Sequence, residues 1–126
     1  MTKTSPHVSI YRFPLTAISS ITNRATGLAL SGLYITSGTA LLFDKNLMQE
    51  YDKFNKPIKT IVNYTVLFPS IYHSLGGIRH MVWDKYPSLL KNTKVFHSSI
   101  GIFALSTIGT FCFEKYILKN NIKNIM

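Results

Sequence analysis

The chain has 126 residues, room for one domain, and its 14 Lys+Arg against 5 Asp+Glu give a formal charge of +9. A balance this basic invites a nucleic-acid partner, but the charges crowd the intervals between three long charge-free stretches. That is the pattern of a membrane protein with basic loops, not of a phosphate-binding stripe, and it argues against nucleic acid. Cys112 is the only cysteine, which excludes an intrachain disulfide, a paired-cysteine zinc site and a thioether-linked haem.

Residues 1–13 are polar to mixed, with Pro6 and His7 early and Arg12 late, and are expected on the membrane surface or against a soluble partner. They hold no apolar core before a small-residue cleavage site and no arginine-rich amphipathic pattern. With the initial Met, this favours a chain made in the compartment where it works. Pro14 suits the start of a helix, where its missing N–H costs nothing, with Thr16 or Ser19 available to satisfy free donors. From Ala25 to Phe43 there are 19 residues without a formal charge. At the helical rise they cover roughly 28 Å, about one hydrocarbon core.

A hydrophilic connection, residues 44–59, leads to Pro57 as a first-turn residue of the next helix. The second charge-free run, Thr60 to Ile78, is again 19 residues but carries Asn63, Thr65, Pro69, Ser70 and His73. Such polarity does not suit a span facing only lipid; it is expected to face protein, cofactor or water, with a kink at Pro69. Trp83 and Tyr86 fall where an interfacial aromatic belt belongs. The third run, Val95 to Phe113, has Gly101 and Gly109 for close packing and is followed by Lys115, Lys119 and Lys123.

These runs predict an all-α fold, an integral membrane bundle of three transmembrane helices in a single membrane-anchor domain. The spans are approximately residues 25–43, 60–78 and 95–113. Three spans put the termini on opposite sides and bring Ser20, Asn23, Arg24, Arg79, His80 and Asp84 to one surface, with His73 roughly 9 Å inside it. Lys and Arg divide seven to each side, so charge does not orient the bundle.

The densest chemistry lies in residues 71–84, IYHSLGGIRHMVWD. On a helix His73, Gly76, Gly77 and His80 share a face, the arrangement a large planar ligand needs: an imidazole to bind it and small residues that let it approach. Glycines that merely let two helices pack closely would look the same. His73 has the depth of an axial haem ligand, while His80 lies nearer the surface and Asp84, four residues on, can orient it or pair with Lys85. Ser20 and Arg24 are neighbours on the first helix, with Gly27 and Ser31 continuing the stripe inward. A hydroxyl and a guanidinium at the water–lipid boundary suit a quinone head, with Arg24 favouring negative charge on its oxygen; they equally suit a lipid phosphate. The first and third helices offer no second histidine at the depth of His73, so a haem would be shared with another subunit.

The segments SPHVSIYRFPLTAISSITNRATG (residues 5–27) and HSLGGIRHMVWD (residues 73–84), with the three-run layout, resemble the cytochrome b subunit family of succinate dehydrogenase, a membrane anchor of respiratory complex II. The resemblance implies that His73 is an axial ligand of haem b, the other histidine coming from a second membrane-anchor subunit. It implies that Ser20 and Arg24 help form a ubiquinone site near the iron–sulfur subunit, with Arg24 close to a haem propionate. Where many relatives carry histidine before that arginine, this chain has Asn23, which can donate a neutral hydrogen bond but no imidazolium charge, a weaker propionate contact. His80 and Asp84 match the motif and fall in the surroundings of the quinone and haem edge.

The expected function is thus anchoring and quinone reduction within succinate:ubiquinone oxidoreductase, in the mitochondrial inner membrane with the N-terminus on the matrix side, or in a bacterial inner membrane. The chain has no flavin fingerprint and no cysteine set for an iron–sulfur cluster, so those cofactors fall to flavoprotein and iron–sulfur subunits and the chain is not catalytic alone. Two alternatives use the same residues: a quinol:fumarate reductase anchor, and a structural anchor that touches neither haem nor quinone.

Overall fold

The computed structural model describes residues 13–123, with side chains described as far as Ile117. Residues 1–12, including Pro6, His7 and Arg12, lie outside the described residues.

Helix α1 spans Leu15–Leu42, α2 Leu47–Asp52, α3 Lys56–Lys85 and α4 Asn92–Lys123, with a 3-10 turn at Pro87–Leu89 between α3 and α4. Pro14 is the N-cap of α1, and its carbonyl accepts from the amides of Ala17 and Ile18. No side chain caps that end, so Thr16 and Ser19 do not play the part expected of them. Ser19 turns inward instead. At the other end Lys45 N–H reaches the Ala40 carbonyl and Asp44 N–H the Leu41 carbonyl, a Schellman closure. It demands a left-handed residue, and Asp44 supplies it at φ 54°.

Asn46 then caps α2, its side chain accepting from the amides of Met48 and Gln49. Pro57 sits in the first turn of α3 as expected, and α3 runs on through Pro69. The charge-free runs fall inside α1, α3 and α4, apart from Phe43, which caps α1. The polar flanks stay helical as well, so the helices, of 28, 30 and 32 residues, outreach the runs.

Of the described helices, α1 and α4 are long and apolar enough to cross a membrane. The 30-residue α3 does not meet that test, because Asn63, Pro69, His73 and the paired glycines dilute its apolar run. Its neighbours explain why it carries them. Along α3, Arg79, Gly76 and His73 meet Ser19, Asn23 and Gly27 of α1 in reverse order. Arg79, Tyr72, Ile71 and Thr60 meet Ser99, Phe103, Gly109 and Glu114 of α4, again in reverse. The central helix is antiparallel to both others and is covered by them.

The packing inverts that of a water-soluble bundle. Among the described hydrophobic side chains only Tyr72 and Ile102 are buried, whereas Leu28, Ile35, Leu42, Ile61, Ile108 and Phe113 face outward. The buried set is Ser19, Thr26, Asn63, Ser99, Ser106, Thr110 and Glu114. In water such a sorting would forfeit the hydrophobic effect. In lipid, where tails are as apolar as leucine, small and polar residues at the seams let helices approach and hydrogen-bond.

The outward hydroxyls are also satisfied locally: Ser31, Thr36, Ser37, Thr39, Thr65 and Thr107 each donate to a carbonyl four residues back. Of the two glycines expected to tighten α4, Gly109 does so, since a Cβ there would sit 3.3 Å from Ile71 Cδ1. Gly101 faces open space.

Candidate functional site

The site is built where the N-terminal half of α1, the C-terminal half of α3 and the start of α4 meet. The ring of His73 lies over Gly27: a Cβ on that glycine would come 2.7 Å from Cε1. Any larger residue at position 27 would push the ring out of the seam. His73 Nδ1 is 3.0 Å from the Asn23 carbonyl oxygen. A carbonyl can only accept, so Nδ1 carries a proton, and in the neutral ring the lone pair belongs to Nε2. Among the described residues Nε2 has no hydrogen-bond partner.

Asn23 does two things at once. Its backbone orients His73, and its amide packs against Gly76, in the volume a side chain at 76 would need. The amide oxygen Oδ1 is buried without a hydrogen-bond partner among the described residues. Gly76 therefore serves the α1–α3 contact, whereas Gly77 has nothing within 4 Å of its Cβ position and faces open space. The two glycines, read together as a floor beneath a ligand, part company.

One turn toward the end of the bundle is a network that sequence reasoning missed. Arg79 Nη1 donates to Ser99 Oγ of α4 at 3.0 Å, and Nη2 to Ser19 Oγ of α1 at 3.3 Å. Tyr72 Oη is 3.0 Å from Ser19 Oγ and donates to the Ser19 carbonyl at 3.2 Å. The Tyr72 ring is held between Phe68 and Phe103, with centroids 5.6 and 4.8 Å away. Trp83 covers the guanidinium at 4.5 Å, a cation–π contact.

The sequence places Arg79 only at the membrane surface, with Ser20, Asn23, Arg24, His80 and Asp84, and gives it no role there. The available signal was its spacing: Arg79 and Trp83 are i, i+4, and Tyr72 and Arg79 are i, i+7, on one helical face.

The remaining expected residues lie on the outside. Ser20 and Arg24 are exposed on α1, just off the seam that holds Asn23 and Gly27. His80 and Asp84 are exposed on α3, with His80 edge-on to Trp83 at 5.3 Å; no hydrogen bond joins His80 to Asp84. The structure brings His73, Asn23 and Gly27 together; Ser20, Arg24, His80 and Asp84 are exposed and make no hydrogen bond with them.

An open apolar groove of about 230 Å3, lined by Ala29, Leu30, Leu33, Thr65, Val66 and Pro69, continues the α1–α3 seam inward from His73. Pro69 stands four residues before the histidine, on its face of the helix.

The donor set fits an axial imidazole to haem iron. The ring is oriented by a backbone carbonyl, the tautomer leaves Nε2 for the metal, and an apolar groove adjoins it. Among the described residues no group of three or more His, Cys, Asp or Glu could hold a metal ion.

The family described as succinate dehydrogenase/fumarate reductase transmembrane subunit matches residues 1–113. The chain belongs to this family. It is 34% identical over 116 residues to the mitochondrial succinate dehydrogenase cytochrome b560 subunit of Dictyostelium discoideum, covering 86% of this chain and 60% of that one. It is 31% identical to the mouse subunit of the same name, covering 84% and 66%. A bacterial relative, the cytochrome b556 subunit of Rickettsia felis, is 37% identical over 84 residues, covering 64% and 65%. The chain thus spans about three fifths to two thirds of the length of these relatives.

Proposed function

We propose that this chain is a membrane-anchor subunit of a succinate:ubiquinone oxidoreductase in the mitochondrial inner membrane. Its three long helices cross the bilayer at approximately residues 25–43, 60–78 and 95–113, forming one domain with the N-terminus on the matrix side. The α3 helix counts as a span because α1 and α4 cover its polar face, leaving Ile61 and Ile78 among its outward residues. Flavoprotein and iron–sulfur subunits oxidise succinate and pass electrons on, and a second membrane anchor stands against the exposed apolar faces, with lipid over the rest. The relatives' names, all succinate dehydrogenase subunits, favour this direction over fumarate reduction.

The observation that carries the proposal is the free Nε2 of His73 on a ring fixed by Asn23 and Gly27. His73 would hold haem b from this chain, with a second ligand from the partner anchor. When bound, haem b takes up and returns one electron. The chain's own contribution is to orient the imidazole, to keep water from its Nδ1 face through the α1–α3 seam, and to offer an apolar groove beside it. Arg24, exposed on α1, would pair with a haem propionate. Asn23 contributes to a propionate contact only by leaving the seam, since its amide is packed on Gly76.

Ser20 and Arg24 bind ubiquinone together with groups of other subunits. Ser20 donates to a quinone oxygen, and the Arg24 guanidinium favours the negative charge that develops there on reduction. Their exposure in the isolated chain suits a site completed by partners. His80 and Asp84, exposed at the same end, stand at the water side of the quinone and haem edge, where a proton reaches the site through water.

The test is the purified complex carrying Arg24→Ala. Quinone reduction by succinate is expected to fall by ten- to a hundredfold, on the order of one charged hydrogen bond. Reduction of a soluble dye that takes electrons upstream should be unchanged. Equal rates with quinone in variant and wild type would remove Arg24 from the site.

A further inference from the structure

We infer that Arg79 is a positioning residue whose half-buried charge, held only by neutral groups, raises the electron affinity of the acceptors at its end of the bundle. The inference rests on the quinone and haem reading above. No carboxylate answers this guanidinium. Among the described residues the ion pairs are Lys53–Glu50 and Lys59–Asp52, both in or beside the α2 connection, and residues 1–12 contain no acidic side chain. Its partners are neutral: the hydroxyls of Ser19 and Ser99 and the face of Trp83. Both serines are fully buried, and Arg79 Nε is itself buried with no partner among the described residues. A half-buried cation whose described partners are all neutral keeps part of its field, because no counter-ion among the described residues cancels it.

Geometry gives that field a direction. Ser19 and Asn23 are i, i+4 on α1: the first accepts from Arg79, the second from His73. His73 is six residues before Arg79 on α3, about 9 Å along the axis. Ser20 and Arg24 are the next residues along the same turns of α1. The clamp from Arg79 to Ser19 and Ser99 therefore holds the α1 turns that carry the quinone residues, while its charge stands at the end of the seam occupied by His73. An electron arriving there is favoured, and neutral quinone binding is not. The signature is a lowered reduction midpoint and a loss in kcat rather than in KM when the charge is removed.

The experiment compares the purified complex as wild type, Arg79→Gln, Ser99→Asp and Arg79→Lys. Ser99→Asp leaves the guanidinium in place and neutralises it through the same Nη1 contact. Arg79→Gln and Ser99→Asp are expected to lower the haem midpoint and to reduce kcat for quinone on the order of tenfold, the effect of a unit charge ~10 Å away at an effective dielectric of ~20. KM should stay within about twofold. Arg79→Lys should keep both values near wild type.

A Ser99→Asp complex with wild-type midpoint and kcat overturns the inference, leaving the clamp purely structural. If neither neutralising variant assembles, Arg79→Lys decides: a midpoint lowered in spite of the retained charge also overturns it. Absence of a haem band in the wild type would sink the His73 reading instead, and kcat in the same variants would then decide the role of Arg79.

Discussion

The two ends of the bundle both place a charged group among polar neighbours, and they use it differently. At one end Arg79 joins three helices through Ser19 and Ser99, beside a histidine whose second nitrogen has no partner among the described residues. At the other, Glu114 is buried and accepts from Thr60, while Tyr51 of α2 donates to buried Asn63 at 2.9 Å. Lys59 adds a 3.5 Å contact to Asp52 and a cation–π contact to Tyr51, folding the 44–59 connection back onto α3. Most polar groups of that end answer one another, Asn63 Nδ2 alone of those named being buried without a partner among the described residues.

The comparison shows that burial of a charge does not mark a site. What distinguishes the His73 end is an oriented ring nitrogen with open space beside it and exposed Ser20 and Arg24 nearby; at the Glu114 end the carboxylate is taken by Thr60 and the Asn63 side-chain carbonyl by the Tyr51 phenol.

Gly27→Leu should break the comparison most severely. Its side chain would occupy the volume of the His73 imidazole. Overpacking is expected to cost about 1–3 kcal/mol, and the haem content of the purified complex to fall toward zero as the ring is driven from its carbonyl. Pyridine haemochrome content per complex, with thermal unfolding alongside, checks both. Tyr72→Phe is the smaller test of the same end. It removes the hydroxyl that joins Ser19 but keeps the contacts with Phe68 and Phe103, and should cost about 0.5–1.5 kcal/mol in unfolding with the haem band retained. Asp44→Gly, at the Glu114 end, should stabilise by at most about 1 kcal/mol, since glycine adopts the left-handed turn without strain. Its electron transfer should be that of wild type.

Much of this was legible from the order of residues. Charge-free runs of 19 residues announced the three long helices, and the prolines at 14 and 57 marked two starts. Histidine depth singled out His73, and helical spacing put it with Gly76, although only the fold showed that Gly27 lies under the ring and Gly76 under Asn23.

The network around Arg79 was hidden for a physical reason. Its partners, Ser19 and Ser99, are 60 and 20 residues away, and serines are unremarked in any helix. What they do depends on which face turns inward, and in a membrane bundle hydrophobic periodicity does not report that face. Apolar residues line the outside, and the helices' inner stripes are small and polar. The same inversion made α3 too polar for a span by composition alone, while its neighbours make it the centre of the bundle.

The most direct test of the account is the reduced-minus-oxidised optical spectrum of the purified complex, recorded for wild type, His73→Ala and Glu114→Gln. A b-type haem band is expected in the wild type, lost in His73→Ala and fully retained in Glu114→Gln, where the amide oxygen still accepts from Thr60. A band that survives His73→Ala unchanged, or one lost with Glu114→Gln instead, would contradict the assignment of chemistry to the His73 end.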